Sequence, residues 1–453
     1  MSLSTFFTYT TLAGPLILAA LFFLVPVYQD LKYRFQVWCR KSNAQAPGLP
    51  PTIYSIPFGI PFFIDVLRYS KKQTLMPFIQ KIWHSKQTAT IRLQTIGEFD
   101  ILTSDPENIK AILAVDFKDY NFGHRHGAFE PLLGDGIFTL EGAGWKHSRA
   151  MLRPQFTRQM IAQLDSIERH VLQLISVIQA SSGENVDLQA LFFKLTIDTA
   201  TEFLFGESVQ TLSGGNPKIT YARNFDLAFN SAQAFLARRF RLNIFYKLAD
   251  TQQFREWCTT CKSFTDSYVQ LALERADQKQ ENGEKEKEKE KERERERESY
   301  VFLDELVKET RDPQVLRDQA LNILLAGRDS TASLLSWIFY NLAIYPAVFT
   351  KLRAEILTHF GTTPSTLSFE SLKQCKYLRY VIDETLRLYP IVPANARAAV
   401  RDTYLPRGGL GPDSESSDPD ARYFGTRPVF IPKGTILGYS VYVLHRDPHF
   451  WGG

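Results

Sequence analysis

The chain has 453 residues, 44% of them hydrophobic, with 34 Phe and 19 Tyr, enough to bury a large apolar interior. A formal net charge of only +4 with no basic stripe argues against a nucleic-acid partner, and no P-loop or dinucleotide glycine pattern is present. The four cysteines, Cys39, Cys258, Cys261 and Cys375, are too few and too scattered for a secreted disulfide framework, so the bulk of the chain is expected to face a reducing compartment.

From Met1 to Gln29 there is no charged side chain, and residues 5–28 are apolar over the ~20 residues a membrane-spanning helix needs. There is no basic n-region and no clear small-x-small cleavage site, which favours an uncleaved single-pass anchor over a signal peptide. Lys32, Arg34, Arg40 and Lys41 follow it, so the positive-inside rule keeps the body cytosolic. Residues 29–62 read as a basic, proline-rich linker, stiffened by the five prolines of APGLPPTIYSIPFGIP, and residues 63–453 as the globular body.

Within that body TATIRLQTIG, FDILTS and PVFIPKGTILGYSV carry strand signals, whereas most other segments show helical periodicity, as in QMIAQLDSIERHVLQLISVIQA at 159–180. In GWKHSRAMLRPQF, Trp145 and Arg149 lie at i and i+4 and could present an indole N–H and a guanidinium to an anion. The alternative is ordinary helix packing. His124, His126 and His147 match no zinc spacing, and the C-x-x-C of Cys258 and Cys261 has no second pair, so neither reads as a metal site. Residues 279–299 are expected to form a charged, disordered loop, because EKEKEKEKERERERE offers nothing apolar to bury.

A long buried helix is expected from about Asp318 to Tyr345, and ILLAGRDSTASLLSW interrupts its apolar run. A mid-helix glycine costs ~1 kcal/mol relative to alanine, and a buried carboxylate costs more unless paired or solvated. Downstream, Glu384 and Arg387 in YLRYVIDETLRLYP meet at i, i+3, which in isolation reads as a surface ion pair. VPANARAAVRD then brings Arg397 after a proline-bounded turn.

Taken in order, W-x-x-x-R, A-G-x-D-S-T in a long helix, E-x-x-R, F-x-P-K-G and H-R-D-P-x-x-W-G resemble the cytochrome P-450 haem-thiolate monooxygenases. The resemblance implies a mainly α prism with a small β lobe behind an N-terminal transmembrane helix, tethered to the endoplasmic reticulum membrane. FGHRHGAFEPLLGDGIFTLEGAGWKHSRAMLRPQF and LPRGGLGPD look most like fungal enzymes that hydroxylate n-alkanes or fatty acids at a chain end. On this resemblance Ala326 and Gly327 flank the oxygen-binding face of the haem, Asp329 and Ser330 pass protons to it, and Thr331 is a further candidate for that task. The family usually has Thr where this chain has Ser330; serine keeps the donor and loses the methyl that restrains its rotamer. Trp145, Arg149 and Arg397 resemble contacts to the haem propionates. Glu384 and Arg387 resemble a buried structural pair. Electrons are implied to come from NADPH through a reductase, to an apolar small-molecule substrate.

The resemblance places the haem-ligand cysteine in an F-x-x-G-x-R-x-C-x-G loop beyond residue 453, so the axial ligation cannot be completed by the cysteines present, and the chain as it stands is expected to be inactive. Two alternatives accompany this reading. One is a catalytically dead membrane protein of the same fold; the other is a haem-thiolate isomerase or dehydratase, against which the retention of Asp329 and Ser330 speaks, since such chemistry needs no proton relay to bound oxygen.

Overall fold

Alternating side chains in TIRLQ and FDILT pair as the antiparallel strands β2 (Thr90–Gln94) and β3 (Phe99–Thr103), with Ile91 opposite Leu102. The computed structural model describes residues 23–40, 46–56, 58–156, 164–214, 222–282, 300–362, 367–410 and 418–452. These divide into two compact units, one made of Met1–Gly123 and Val392–Gly453, the other of His124–Ile391.

The first unit holds the sheets. With β1 (Thr52–Ile53), β4 (Tyr120–Asn121), β5 (Ala394–Ala399), β6 (Thr403–Gly409), β7 (Arg427–Ile431) and β8 (Ile436–Ser440), it forms a six-stranded sheet in the order β1-β2-β3-β8-β5-β4 and a separate β6-β7 pair. The three expected strand segments are all strands. Lys433 and Gly434 of F-x-P-K-G make the turn between β7 and β8, where Gly434 adopts φ +87°. Asp447 of H-R-D-P is buried and caps the helix Pro448–Trp451, accepting from the His449 backbone N–H.

Most of the expected anchor, residues 1–22, lies outside the described residues. Residues 23–39 are helical and one face of them docks: Tyr33 and Val37 are buried with Phe430, and Asp30 pairs with the buried Arg92. The segment 29–62 is therefore more than a linker, since it also adds β1 to β2 and bridges Gly48 to Val429. Two of the four flanking cations are committed to these contacts, Arg34 to Asp30 at 2.7 Å and Arg40 to Asp402 at 2.8 Å. Among the described residues no single helix is long and apolar enough to cross a membrane.

Asp100, on β3, has a carboxyl oxygen buried without a partner among the described residues. Burial pushes this carboxyl up to about 7, Thr95 opposing and Glu98 adding to the shift. A carboxyl raised in the folded state adds stability at low pH that is lost as the pH rises through about 7. Asp100→Asn is accordingly expected to raise the melting temperature more at pH 8 than at pH 5. An equal shift at both values would show that Asp100 ionises freely in the native state.

The second unit is helical: α1 (Arg125–Leu133), α2 (Gly142–Leu152), α3 (Leu164–Ala180), α4 (Leu188–Phe205), α5 (Ala222–Arg241), α6 (Gln252–Asn282), α7 (Pro313–Ile344), α8 (Pro346–Phe360) and α9 (Lys376–Leu388). The helix α6 continues to Asn282, past the start expected for the charged loop, because 279–282 still extend a formed helix at little cost; residues 283–299 lie outside the described residues. Stacked rings of Phe205, Phe225, Phe229, Phe264 and Tyr268 fill the core. Cys258 and Cys261 sit in that core, where burial pushes the Cys258 thiol up to about 12 and raises Cys261 as well. This is the environment of inert apolar cysteines.

Candidate functional site

The long helix α7 starts on an Asp312 cap and Pro313, and it runs unbroken through Gly327 to Ile344. Its first half is buried on several sides, and three polar residues there hold the chain that leads to α2. Asp318 accepts from the Asp135 N–H at 2.9 Å, while Asn322 accepts from the Phe138 N–H at 3.1 Å and donates to the Leu133 carbonyl at 2.9 Å. Ser148 of α2 donates to Gln319 at 2.8 Å. Asp318, Gln319, Asn322 and Ser148 are buried, so the register between α2 and α7 is set by hydrogen bonds from side chains shielded from water. Sequence reading assigned no role to Asp318, Gln319 or Asn322; their signal is that three polar residues interrupt an otherwise apolar stretch.

The closeness of this packing explains LLGDGIF. Gly134 adopts φ +59°, ψ −147°, and a Cβ there would overlap the Asp318 carboxylate. A Cβ on Gly136 would overlap the Asn322 amide.

At the centre of α7, Gly327 and Thr331 are exposed, and a Cβ built on Gly327 meets nothing within 4 Å. Ala326 and Ser330 flank this open face, and the Ser330 hydroxyl donates to the Ala326 carbonyl at 2.6 Å. Asp329 lies 100° further round the helix. It takes a hydrogen bond from Arg328 at 3.2 Å, and burial raises its carboxyl, against the pull of Arg328 and the Gln233 amide and together with the push of Asp226. The two expected proton-handling groups therefore have different partners, Ser330 the Ala326 carbonyl and Asp329 the Arg328 guanidinium.

The fully buried side chain in this stretch is Arg328, which sequence reading left unassigned. It donates to Asn230 at 2.6 Å, pairs with Asp226, and lies between the Phe193 and Phe229 rings at 5.3 and 5.8 Å. It thereby fastens the middle of α7 to α5 and positions Asp329.

On α2 the Arg149 guanidinium is exposed and stands 5.3 Å from the Trp145 ring centre. Arg397 belongs to the other unit, on β5, where it donates to the Ala396 carbonyl at 2.9 Å and stacks over Phe122 at 4.7 Å. On α9, Arg387 binds Glu384 through two hydrogen bonds of 2.7 Å, and this pairing holds the Glu384 carboxyl below its usual range while burial opposes it. The pair is less buried than the resemblance implies, with the Glu384 side chain 55% exposed, so water screens it. Its fork geometry is intact.

The donor set fits part of a haem. Arg149 and Trp145 offer a cation and an indole N–H to carboxylates, and nothing lies within 4 Å of a Cβ built on Gly327, so no side-chain bulk obstructs that side. None of the four cysteines lies in the motif that would hold iron: Cys258 and Cys261 are core residues, Cys375 is the residue before α9, and Cys39 is on the helical segment 23–39.

The family model described as Cytochrome P450 matches residues 55–407. Cytochrome P450 52A13 of Debaryomyces hansenii is 45% identical over 409 residues, covering 87% of this chain and 73% of its own length. Cytochrome P450 52A3-B of Candida maltosa is 42% identical over 456 residues, covering 98% and 80%. This chain belongs to the cytochrome P450 family. It is accordingly an oxidoreductase of the monooxygenase type, with haem iron as cofactor and NADPH electrons supplied through a reductase.

Proposed function

We propose that this chain is the body of a membrane-bound monooxygenase that hydroxylates long-chain apolar substrates, n-alkanes or fatty acids, at a chain end. Its place is the endoplasmic reticulum membrane, with residues 5–28 as a single-pass anchor and the body cytosolic. The observation that carries the catalytic reading is the open face of α7, where Gly327 leaves free space beside the Ser330 hydroxyl. The 42–45% identity to the 52A relatives supports the substrate class, and the apolar, exposed outer face of the helical segment 23–39, including Leu24, Tyr28, Phe35 and Trp38, supports attachment to lipid.

Haem, when bound, supplies dioxygen activation and the insertion of one oxygen atom into an unactivated C–H bond. The residues of this chain prepare the site for it. Ala326 and Gly327 keep side-chain bulk off the face where oxygen and substrate meet. Trp145 and Arg149 on one unit, and Arg397 on the other, each carry a group suited to a carboxylate. Ser330 holds a proton at Oγ that it can release from the Ala326 carbonyl toward the open face, with Thr331 beside it and Asp329 as the acid that Arg328 holds in place.

The test uses a chimaera in which residues 1–453 are followed by the cysteine loop of a 52A relative. Ser330→Ala is expected to bind a fatty acid and consume NADPH while diverting roughly tenfold more oxygen to hydrogen peroxide, and Ser330→Thr to couple at least as well as Ser330. Equal product per NADPH in all three would remove Ser330 from the mechanism. A polypeptide of residues 1–453 alone, given ample haem and reductase, is expected to show no thiolate-type reduced carbonyl spectrum and no hydroxylation, because two of its cysteines are raised thiols in the core and none lies in the ligand motif. A strong thiolate signal from mass-verified protein would overturn that placement of the haem.

A further inference from the structure

Away from the α7 face, the end of α8 and the start of α9 bring together three side chains of different donor chemistry. Glu355 and His359 stand one turn apart on α8, and Cys375 is the residue before α9. A carboxylate oxygen of Glu355, a ring nitrogen of His359 and the sulfur of Cys375 all lie within 4.8 Å of one another, and this is the one such trio among the described residues. We propose that Glu355, His359 and Cys375 bind a zinc-class divalent ion that ties α8 to α9.

Three features carry this beyond a chance cluster. First, the donor set of thiolate, imidazole and carboxylate is the one that borderline-soft Zn²⁺ takes, whereas Mg²⁺ and Ca²⁺ prefer all-oxygen sites. Second, His359 is already oriented. Its Nδ1 is 2.9 Å from the Glu355 backbone carbonyl, which only accepts, so the proton sits on Nδ1 and Nε2 keeps its lone pair. A ligating histidine commonly uses its second nitrogen in this way, which fixes the ring and raises its basicity. Third, the depth is graded. Cys375 is fully buried, while the side chains of His359 and Glu355 are 33% and 38% exposed, so an ion can enter from the surface and meet the sulfur last. Ligand atoms on a tetrahedral zinc stand about 3.3–3.8 Å apart, given bonds of about 2.0–2.3 Å, so closure asks for a shift of about 1 Å. Glu355 can supply it by a rotamer change that swings its carboxylate, now 3.8 Å from Nδ1, round toward Nε2.

Binding replaces the S–H bond of Cys375 with a sulfur–metal bond and releases the proton to solvent, with no change of oxidation state. Three protein ligands leave a fourth position for water. The ion would brace the turn that leads into the helix bearing Glu384 and Arg387, so its effect on the chain is mechanical.

The test is cobalt and zinc titration of the purified chain in a Cys39→Ser background, which removes the exposed thiol. We expect one equivalent of Co²⁺ to give a thiolate-to-metal charge-transfer band, Zn²⁺ to displace it, and about one proton to be released per ion. Cys375→Ser should abolish the band. His359→Ala and Glu355→Gln, at partly exposed positions, should each weaken zinc binding about tenfold or more, measured against a chromophoric chelator. Zinc should also raise the unfolding midpoint of the parent but not of His359→Ala. No charge-transfer band at saturating cobalt, or an unchanged affinity in His359→Ala, would overturn the proposal and leave an adventitious ion only.

Discussion

Gly134→Ala is expected to lower stability by about 2–5 kcal/mol, read as a fall in the urea midpoint with the helical content of the remaining native fraction unchanged. Two costs add. At φ +59°, ψ −147° an L side chain occupies a region that is essentially glycine-only, worth about 1–3 kcal/mol. The new methyl would also overlap the carboxylate of Asp318, which is buried and accepts from the Asp135 N–H, so relief of the overlap strains or breaks that hydrogen bond. Gly183→Ala is the control. It has φ +90° but nothing within 4 Å of a Cβ, so only a backbone cost of about 1–2 kcal/mol is expected there. Equal losses in the two variants would show that the Asp318 contact is slack. If Trp145 and Arg149 hold the haem propionates as proposed, Gly134→Ala should also weaken haem retention in the chimaera, because Gly134 begins the segment that leads to them.

Arg328→Met should cost about 3 kcal/mol, and the penalty should grow with pH. The guanidinium is fully buried, and its removal leaves Asp226 and Asp329, each about a third exposed, with no counter-charge. Asp329 is already raised by burial in the presence of Arg328. A carboxyl raised in the folded state loses its contribution to stability as the pH climbs through its folded pKa, and without Arg328 that pKa climbs further. At pH 5 Asp329 can take up a proton and the variant is partly relieved; at pH 8 it must ionise without its partner. A urea midpoint difference that stays constant between pH 5 and pH 8 would rule out this account. Arg328→Lys should fall between parent and Arg328→Met, because an ammonium keeps the charge but cannot reach Asn230, Asp226 and Asp329 as a fork.

The parts of the fold that local pattern determines were readable in the sequence. The alternation in TIRLQ and FDILT, and the turn glycine of F-x-P-K-G, led directly to β2, β3, β7 and β8. The apolar period around ILLAGRDSTASLLSW led to α7, although the helix starts at Asp312 and Pro313, a cap that precedes the apolar run and lacks its period. What local pattern does not encode is partnership over long separations. Arg328 finds Asn230 and Asp226 about a hundred positions upstream, on a helix whose polar residues look like a solvated face. The same limit hid the docking of residues 29–39, since Tyr33 and Val37 are buried by Phe430, nearly four hundred residues away. Ser330, Gly327 and Trp145 were singled out through an ordered set of motifs; the structure adds the Ser330 hydrogen bond to the Ala326 carbonyl, the open space beside Gly327 and the Arg149 guanidinium 5.3 Å from the Trp145 ring. The Glu384–Arg387 spacing correctly implied contact between the two side chains, but spacing carries no information on depth, and the pair is shallower than expected.

Among the four cysteines of residues 1–453, burial singles out one for labelling. Cys39 is exposed, whereas Cys258, Cys261 and Cys375 are buried. A maleimide dye added to folded residues 1–453 is therefore expected to attach at Cys39, on the helical segment 23–39. The three silent thiols then serve as a clock: in rising denaturant, the rate at which Cys258 and Cys261 become alkylated reports how often the aromatic core around Phe264 opens.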